Sequence, residues 1–403
     1  MNLAETIRQH AATLYPEIVK HYRYLHQHPE LSYQEENTAK YLIDFLQSEG
    51  ISFRDKIGGT GILAWVKGES DDADTRRTIT MVADMDALPV QEQNNIPYKS
   101  KYEGIMHACG HDSHTATLMG VAKIAQLLRA HFSGTLLFIF QPGEEQSPGG
   151  AQLMLQDDLF RDFVPEFIIK QHAYADLPAG QIAFQSGIVM ASADEVHITV
   201  KGEGGHGALP HQLNDTVLAA SSILVALQQI VSRRRNPFSP MTLSFGKFIA
   251  NGATNVIPSK VVLGGSLRCM DEKERQKMLQ IIPQVIQSTA TAYGCTCDIF
   301  MPKGYSCTLS HEDVVACTRQ YAIEYAGDEN VTEYPKRMTA EDFGFFTQAY
   351  PCCYYRFGVA DRAGKCGKLH SPTFLIDEKA LEIVTGCAAY ILIKSLKKAI
   401  AVR

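Results

Sequence analysis

The sequence predicts an α/β protein with a mostly parallel sheet, interrupted by a small α+β unit. Three observations lead there. Short, continuously apolar β-rich runs, Thr78–Ala83, Thr135–Phe140 and Glu166–Ile169, are bounded by turn residues. Between the first two, a helical pattern follows Asp112, with Leu118, Val121, Ala125 and Leu128 at helical spacing. Strands without alternation, separated by helices, belong to a sheet buried on both faces. The middle of the chain then changes character, because Asp194–Lys201 alternates strictly between apolar and polar, as a half-exposed strand does.

After that strand the pattern predicts a helix over Asn214–Arg234, strands Met241–Phe248 and Lys260–Met270, a helix Asp271–Tyr293 and a strand Thr296–Met301. The resulting order, β-α-β-β-α-β, is that of the split-βαβ, ferredoxin-like unit. Beyond about Tyr305 the chain returns to helices and a further strand, Cys352–Phe357, and Ile383–Ile393 reads as a buried helix. The expected organisation is a discontinuous larger domain, 1–188 with 305–403, and an inserted domain, 189–304.

Composition agrees with this division. At 403 residues the chain exceeds the ~100–200 of a typical single domain. The formal net charge is −6, with no basic stripe, so nucleic acid is not an expected partner. Charges run through the first ten residues, unlike a signal peptide, and no apolar run approaches the ~18 residues of a membrane span. Ten scattered cysteines without a C-x-x-C pair fit reduced thiols. The expectation is a cytoplasmic protein with no membrane partner.

Chemistry-bearing residues collect at strand ends. Asp84-Met-Asp86 follows the first run, Glu144-Glu145 follows the second through Gln-Pro-Gly, and His172 follows the third. In open α/β sheets ligands gather at the carboxyl ends of strands. His107-Ala-Cys109-Gly-His111-Asp-Ser-His114 precedes the helix, and a thiolate and an imidazole two residues apart suit zinc or another borderline metal. Singly, each element has an ordinary reading as a solvated pair, a turn, or a satisfied core histidine. Together they supply more donors than the four one zinc takes, which points to two metals ~3.5–4 Å apart. Of two adjacent glutamates, one can bind metal while its neighbour serves as general base.

In these residues the chain resembles the dinuclear metallo-aminoacylase/carboxypeptidase superfamily, in the amidohydrolase branch that contains hippurate hydrolase, indole-acetyl-amino-acid hydrolases and N-acetyl-diaminopimelate deacetylase. The matching segments are Ala83–Pro89, His107–His114, Gln141–Glu145, Gly204–His211, Asn255–Pro258, Glu341–Phe343 and Leu369–Phe374, in the family's order. The resemblance implies metal ligands Cys109, His111, Glu145, His172 and His370, a general base Glu144, and Asp86 as a support behind the ligands. It implies two divalent ions, zinc or manganese, with cobalt or nickel as alternatives. His206 would be an oxyanion donor, and Asn255 and Arg268 would grip a substrate carboxylate. The inserted domain would act as lid and as the interface of a homodimer. Where the peptidase branches carry a histidine ligand, this chain has Asp84. The implied activity is hydrolysis of N-acyl amino acids, or small dipeptide-like amides, by metal-activated water.

Three other readings compete. A metallo-dipeptidase or carboxypeptidase of the same superfamily shares the site. A cysteine hydrolase with Cys109 as nucleophile leaves Glu144 and Glu145 without a role. A metal-loaded binding protein would not need the second glutamate.

Overall fold

The computed structural model describes residues 2–70, 77–361, 363–364 and 366–397. They fall into two compact units: the described residues of Met1–Val189, Leu309–Lys336 and Phe345–Arg403 form one, and Met190–Thr308 with Arg337–Gly344 the other.

The first unit is built on an eight-stranded sheet, in the order Ser52–Ile57, Gly61–Lys67, Thr135–Gln141, Thr78–Asp84, Phe167–Pro178, Cys352–Ala360, Ile182–Phe184 and Val331–Glu333. Its centre is parallel: Thr78–Asp84 lies between Thr135–Gln141 and Phe167–Pro178, with Cys352–Ala360 beyond. The hairpin Ser52–Ile57/Gly61–Lys67 adds an antiparallel margin that the sequence reading did not single out. Thr78–Asp84, Thr135–Gln141 and Cys352–Ala360 are buried at every residue, so both faces of the sheet are covered, as their unbroken apolar runs require. Helices Leu3–Gln27, His111–Leu127 and Lys379–Leu396 pack on one another beside this sheet. Leu3–Gln27 buries Ile7, Ala11, Leu14, Ile18, Tyr22 and Leu25 at helical period, and its first turn is capped by Asn2. The sheet leaves three chain segments at neighbouring strand ends. Asp84 closes one strand, and Gln141 closes the next and leads into Pro142–Gly150. His172, expected after its strand, lies inside it, because pairing with Cys352–Ala360 carries the strand well past Ile169.

The second unit holds a four-stranded antiparallel sheet in the order Met241–Ala250, Lys260–Cys269, Asp194–Lys201, Thr296–Phe300. This is the ferredoxin-like order. Helices Thr216–Gln229 and Glu272–Ala292 share its core through Ala220, Ile223, Leu227, Met278, Ile282 and Ile286. Both are capped by aspartates, Asp215 and Asp271, each accepting from two backbone N–H groups of the first turn. Arg275 is buried and forks onto both oxygens of Asp194 at 2.7 Å, tying helix to strand.

The expectation that no stretch approaches a membrane span needs correcting for Thr216–Arg234, which passes by length and composition. Its scattered serines and glutamines break the apolar run without lowering its mean hydropathy enough. In the fold it is the helix on the small sheet, continued by a π-turn from Ile230 to Arg234.

Candidate metal centre

Five side chains expected as ligands converge in the first unit. Cys109 and Gly110 form a turn at the start of helix His111–Leu127, and Gly110 adopts a left-handed φ of 88° that a side chain would strain. The turn brings Cys109 Sγ within 3.5 Å of His172 Nε2 and 3.3 Å of His370 Nε2. Glu145 Oε1 lies 3.3 Å from His370 Nε2 and 4.0 Å from His111 Nε2. Glu144 Oε2 stands 3.9 Å from the same His111 nitrogen. His370 itself adopts a φ of 64°, unusual for a residue other than glycine, and its N–H donates to Ala108 O at 2.7 Å. Backbone strain thus goes into aiming the one exposed member of the cluster.

Hydrogen bonds to the backbone decide which ring nitrogens can take a metal. His111 Nδ1 donates to the Asp86 carbonyl at 2.9 Å, and His172 Nδ1 donates to the Ala173 carbonyl at 2.8 Å. A carbonyl only accepts, so in each neutral ring the proton sits on Nδ1 and Nε2 presents its lone pair to the cluster. His114 is the opposite case. Its Nε2 accepts from Ala173 N–H at 2.9 Å, so its proton sits on Nδ1, which faces Asp84 Oδ2 at 3.7 Å. His114 is therefore no ligand, although it lies beside them.

The residues fit a divalent pair. Buried His111 Nε2 and Glu145 Oε1 have no hydrogen-bond partner, a state buried polar atoms rarely keep without an ion or water. Sulfur, imidazole and carboxylate donors together suit borderline first-row ions. Electrostatics follow the same geometry. Burial opposes charging His111, yet Asp84, Asp86 and Glu145 overcome it and raise its pKa to about 10. Burial keeps His172 neutral, reinforced by His114 and Arg356. Burial likewise holds His114 down at about 4.

Supports stand behind the donors. Asp86 Oδ1 is 3.2 Å from His111 Nδ1, while Oδ2 accepts from Glu145 N–H at 2.9 Å and from Ser32 Oγ at 2.7 Å. Burial works against its ionisation, but these hydrogen bonds and the His111 charge hold Asp86 below the usual carboxylate range. Asp84 is paired through Oδ1 with buried Lys170 at 2.6 Å, while its Oδ2 faces His111 Nε2 at 3.8 Å. Sequence reasoning passed over Lys170, Ser32, Tyr33 and Glu35, which lie in segments without a metal-ligand pattern.

His206, Asn255 and Arg268 belong to the second unit. His206 pairs with Val256 in a two-residue ladder, and the following Gly207 N–H donates to Asn255 O, so the first two are neighbours. His206 Nδ1 accepts from Ala208 N–H at 3.1 Å, which leaves Nε2–H as the ring's donor in the neutral form. Arg268 sits apart from them in the four-stranded sheet, opposite Thr242.

Comparison with known proteins settles the family. Residues 80–394 match the model of peptidase family M20/M25/M40. The chain belongs to this family. An N-acyl-L-amino acid amidohydrolase of Geobacillus stearothermophilus is 37% identical over 309 residues, covering 77% of this chain and 82% of the relative. Thermostable carboxypeptidase 1 of Saccharolobus solfataricus is 31% identical over 401 residues, 99% of this chain and all of the relative. The crystal structure of the Bacillus subtilis protein YXEP, described as a dinuclear metal binding peptidase of the M20 family, superposes with a TM-score of 0.81 at 29% identity, over 96% of this chain and 99% of that one. The donor cluster thus sits in an M20-family hydrolase.

Proposed function

We propose that this M20 hydrolase cleaves N-acyl amino acids to a carboxylic acid and an amino acid. The observation that carries the reading is the convergence of Cys109, His111, Glu145, His172 and His370, both buried imidazoles presenting Nε2, with a second carboxylate, Glu144, beside them. When bound, a divalent pair supplies Lewis acidity, lowering the pKa of water and polarising the amide carbonyl. Glu144 takes the proton of the attacking water and hands it to the departing amine. Asp86 keeps His111 in its Nε2-presenting tautomer and anchors the Glu145 backbone.

His206 would donate from Nε2–H to the oxyanion, and Asn255 with Arg268 would hold the substrate carboxylate. The edge strands Met241–Ala250 and Thr296–Phe300 of the four-stranded sheet support a homodimer formed through the small unit. Carboxypeptidase action uses the same chemistry, and the relative at 31% identity keeps it as the second reading.

One panel separates them: metal-reconstituted protein is assayed on N-acetyl, N-benzoyl and indole-acetyl amino acids, their neutral amides, and dipeptides. N-acyl acids should be cleaved fastest, and Arg268→Ala should erase the preference over the amides. A wild type that cleaves only peptides overturns the reading in favour of the carboxypeptidase.

A further inference from the structure

The loop that carries Glu144 and Glu145 is held from outside by residues that none of the expected roles includes. Gly150 N–H closes the loop onto Gly143 O at 3.1 Å. Within it, Tyr33 Oη donates to Gln146 O at 2.5 Å and accepts from Gly149 N–H at 2.9 Å. At the loop's entry, Gly143 N–H donates to Glu35 Oε1 at 2.8 Å, an oxygen that also accepts from Tyr33 N–H at 3.0 Å. Thr60 Oγ1 holds the other oxygen of Glu35 at 2.8 Å, and the carboxylate is wholly buried.

The fit is steric as well as polar. Gly143 has a φ of 57°, and a Cβ there would lie 2.2 Å from the Tyr33 ring, so the glycine lets the ring lie against the loop. Tyr33 itself is held at a φ of 66°, a conformation uncommon for an aromatic residue. Such strain persists where the surroundings over-determine it, and here three hydrogen bonds of Tyr33 do so.

We propose that Tyr33 and Glu35 are positioning residues: together they clamp the Gly143–Gly150 loop and thereby fix where the Glu144 carboxylate stands relative to the ligands. The proposal rests on Glu144 as the base. Neither residue is placed among the donors, so the clamp acts through the backbone of the loop. A carboxylate base on an unclamped loop still binds in the site but spends less time in reach of the proton, which lowers kcat without altering substrate affinity.

The test pairs kinetics with hydrogen exchange. Tyr33→Phe keeps the ring and removes the hydroxyl that two loop groups share. It should lower kcat roughly tenfold, the scale of a lost pair of hydrogen bonds, with KM unchanged when assayed at saturating metal. In the metal-free protein, amides of the 142–150 segment should exchange faster while the strand Thr135–Gln141 stays protected. Glu35→Gln keeps an oxygen for Gly143 N–H and should retain most of the rate, whereas Glu35→Ala should not. Wild-type kcat and wild-type loop exchange in Tyr33→Phe, or equal behaviour of the two Glu35 variants, would overturn the clamp. If loop exchange responds as expected but wild type cleaves nothing in the substrate panel, the clamp stands and the proposed function falls.

Discussion

Lys170 Nζ lies 2.6 Å from Asp84 Oδ1, and both side chains are fully buried on adjacent parallel strands at the edge of the donor cluster. Burial alone would neutralise Asp84, but the Lys170 charge, with His111, keeps it ionised. Asp84 thereby keeps its negative charge 3.8 Å from His111 Nε2.

The first prediction concerns that pair. Lys170→Met leaves a buried carboxylate without its cation and should destabilise the metal-free protein by about 3–5 kcal/mol. Adding Asp84→Leu removes the stranded charge and should recover part of the loss, because two apolar groups need no compensation. Urea unfolding of the single and double variants measures both. A single variant as stable as wild type would contradict the ion pair.

The two adjacent glutamates should separate cleanly. Glu144→Gln keeps the shape and removes the base, so kcat should fall by ~10²–10⁴ with metal content intact. Glu145→Gln removes a charged donor that lies 3.3 Å from His370, so metal affinity should fall first. Metal analysis after dialysis, alongside steady-state rates, distinguishes them. Identical profiles for the two variants would mean that the roles are misassigned.

Metal loading should release protons. With its pKa raised to about 10, His111 of the metal-free protein is an imidazolium at neutral pH, and a metal must displace that proton from Nε2. His172 is already neutral and contributes none. Affinity should therefore strengthen as pH rises from 6 toward the His111 pKa, with about one proton per site pair traceable to His111. Calorimetry in two buffers of different ionisation enthalpy reads the release. His111→Asn should lower the count by that proton, and an unchanged count would refute the assignment.

Much of this was legible in the sequence, and for a physical reason. Unbroken apolar runs such as Thr135–Phe140 only make sense inside a covered sheet, and the strict alternation of Asp194–Lys201 marks a sheet with one open face. Cys109, His111 and Glu145 carry chemistry that few structural roles need, so their meeting could be anticipated. Lys170 could not be: it interrupts an apolar strand, and only the placement of Asp84 one strand away explains its burial. Tyr33 and Glu35 were equally hidden, because a clamp made of backbone hydrogen bonds leaves no residue pattern in the loop it holds. The position of His172 inside its strand depended on pairing with Cys352–Ala360, nearly two hundred residues later in the chain.

The last prediction concerns a buried histidine behind the centre. His26 Nδ1 is 2.6 Å from Asp112 Oδ2, and its Nε2 is 3.2 Å from Glu92 Oε1. Asp112 directly follows His111 on its helix. Glu92 also accepts from Asn94, whose amide reaches Phe374 O, close to the turn that carries His370. One imidazolium thus ties the segments that carry His111 and His370. Burial opposes its charge, but the hydrogen bonds and charges of Asp112 and Glu92 prevail and raise its pKa from 6.5 to about 9. A folded-state pKa above the unfolded one stabilises fully below the unfolded value and is lost as pH rises through the folded value. The window here runs from about 6.5 to about 9. The metal-free wild type should therefore exceed His26→Gln in stability by the largest margin near pH 6, and the gap should narrow steadily toward pH 10. At about 1.4 kcal/mol per pKa unit the narrowing is on the order of 3 kcal/mol. Denaturant midpoints of both proteins across that range measure it. A gap that stays constant with pH would show that His26 acts by shape alone and not as the charged link between the two carboxylates.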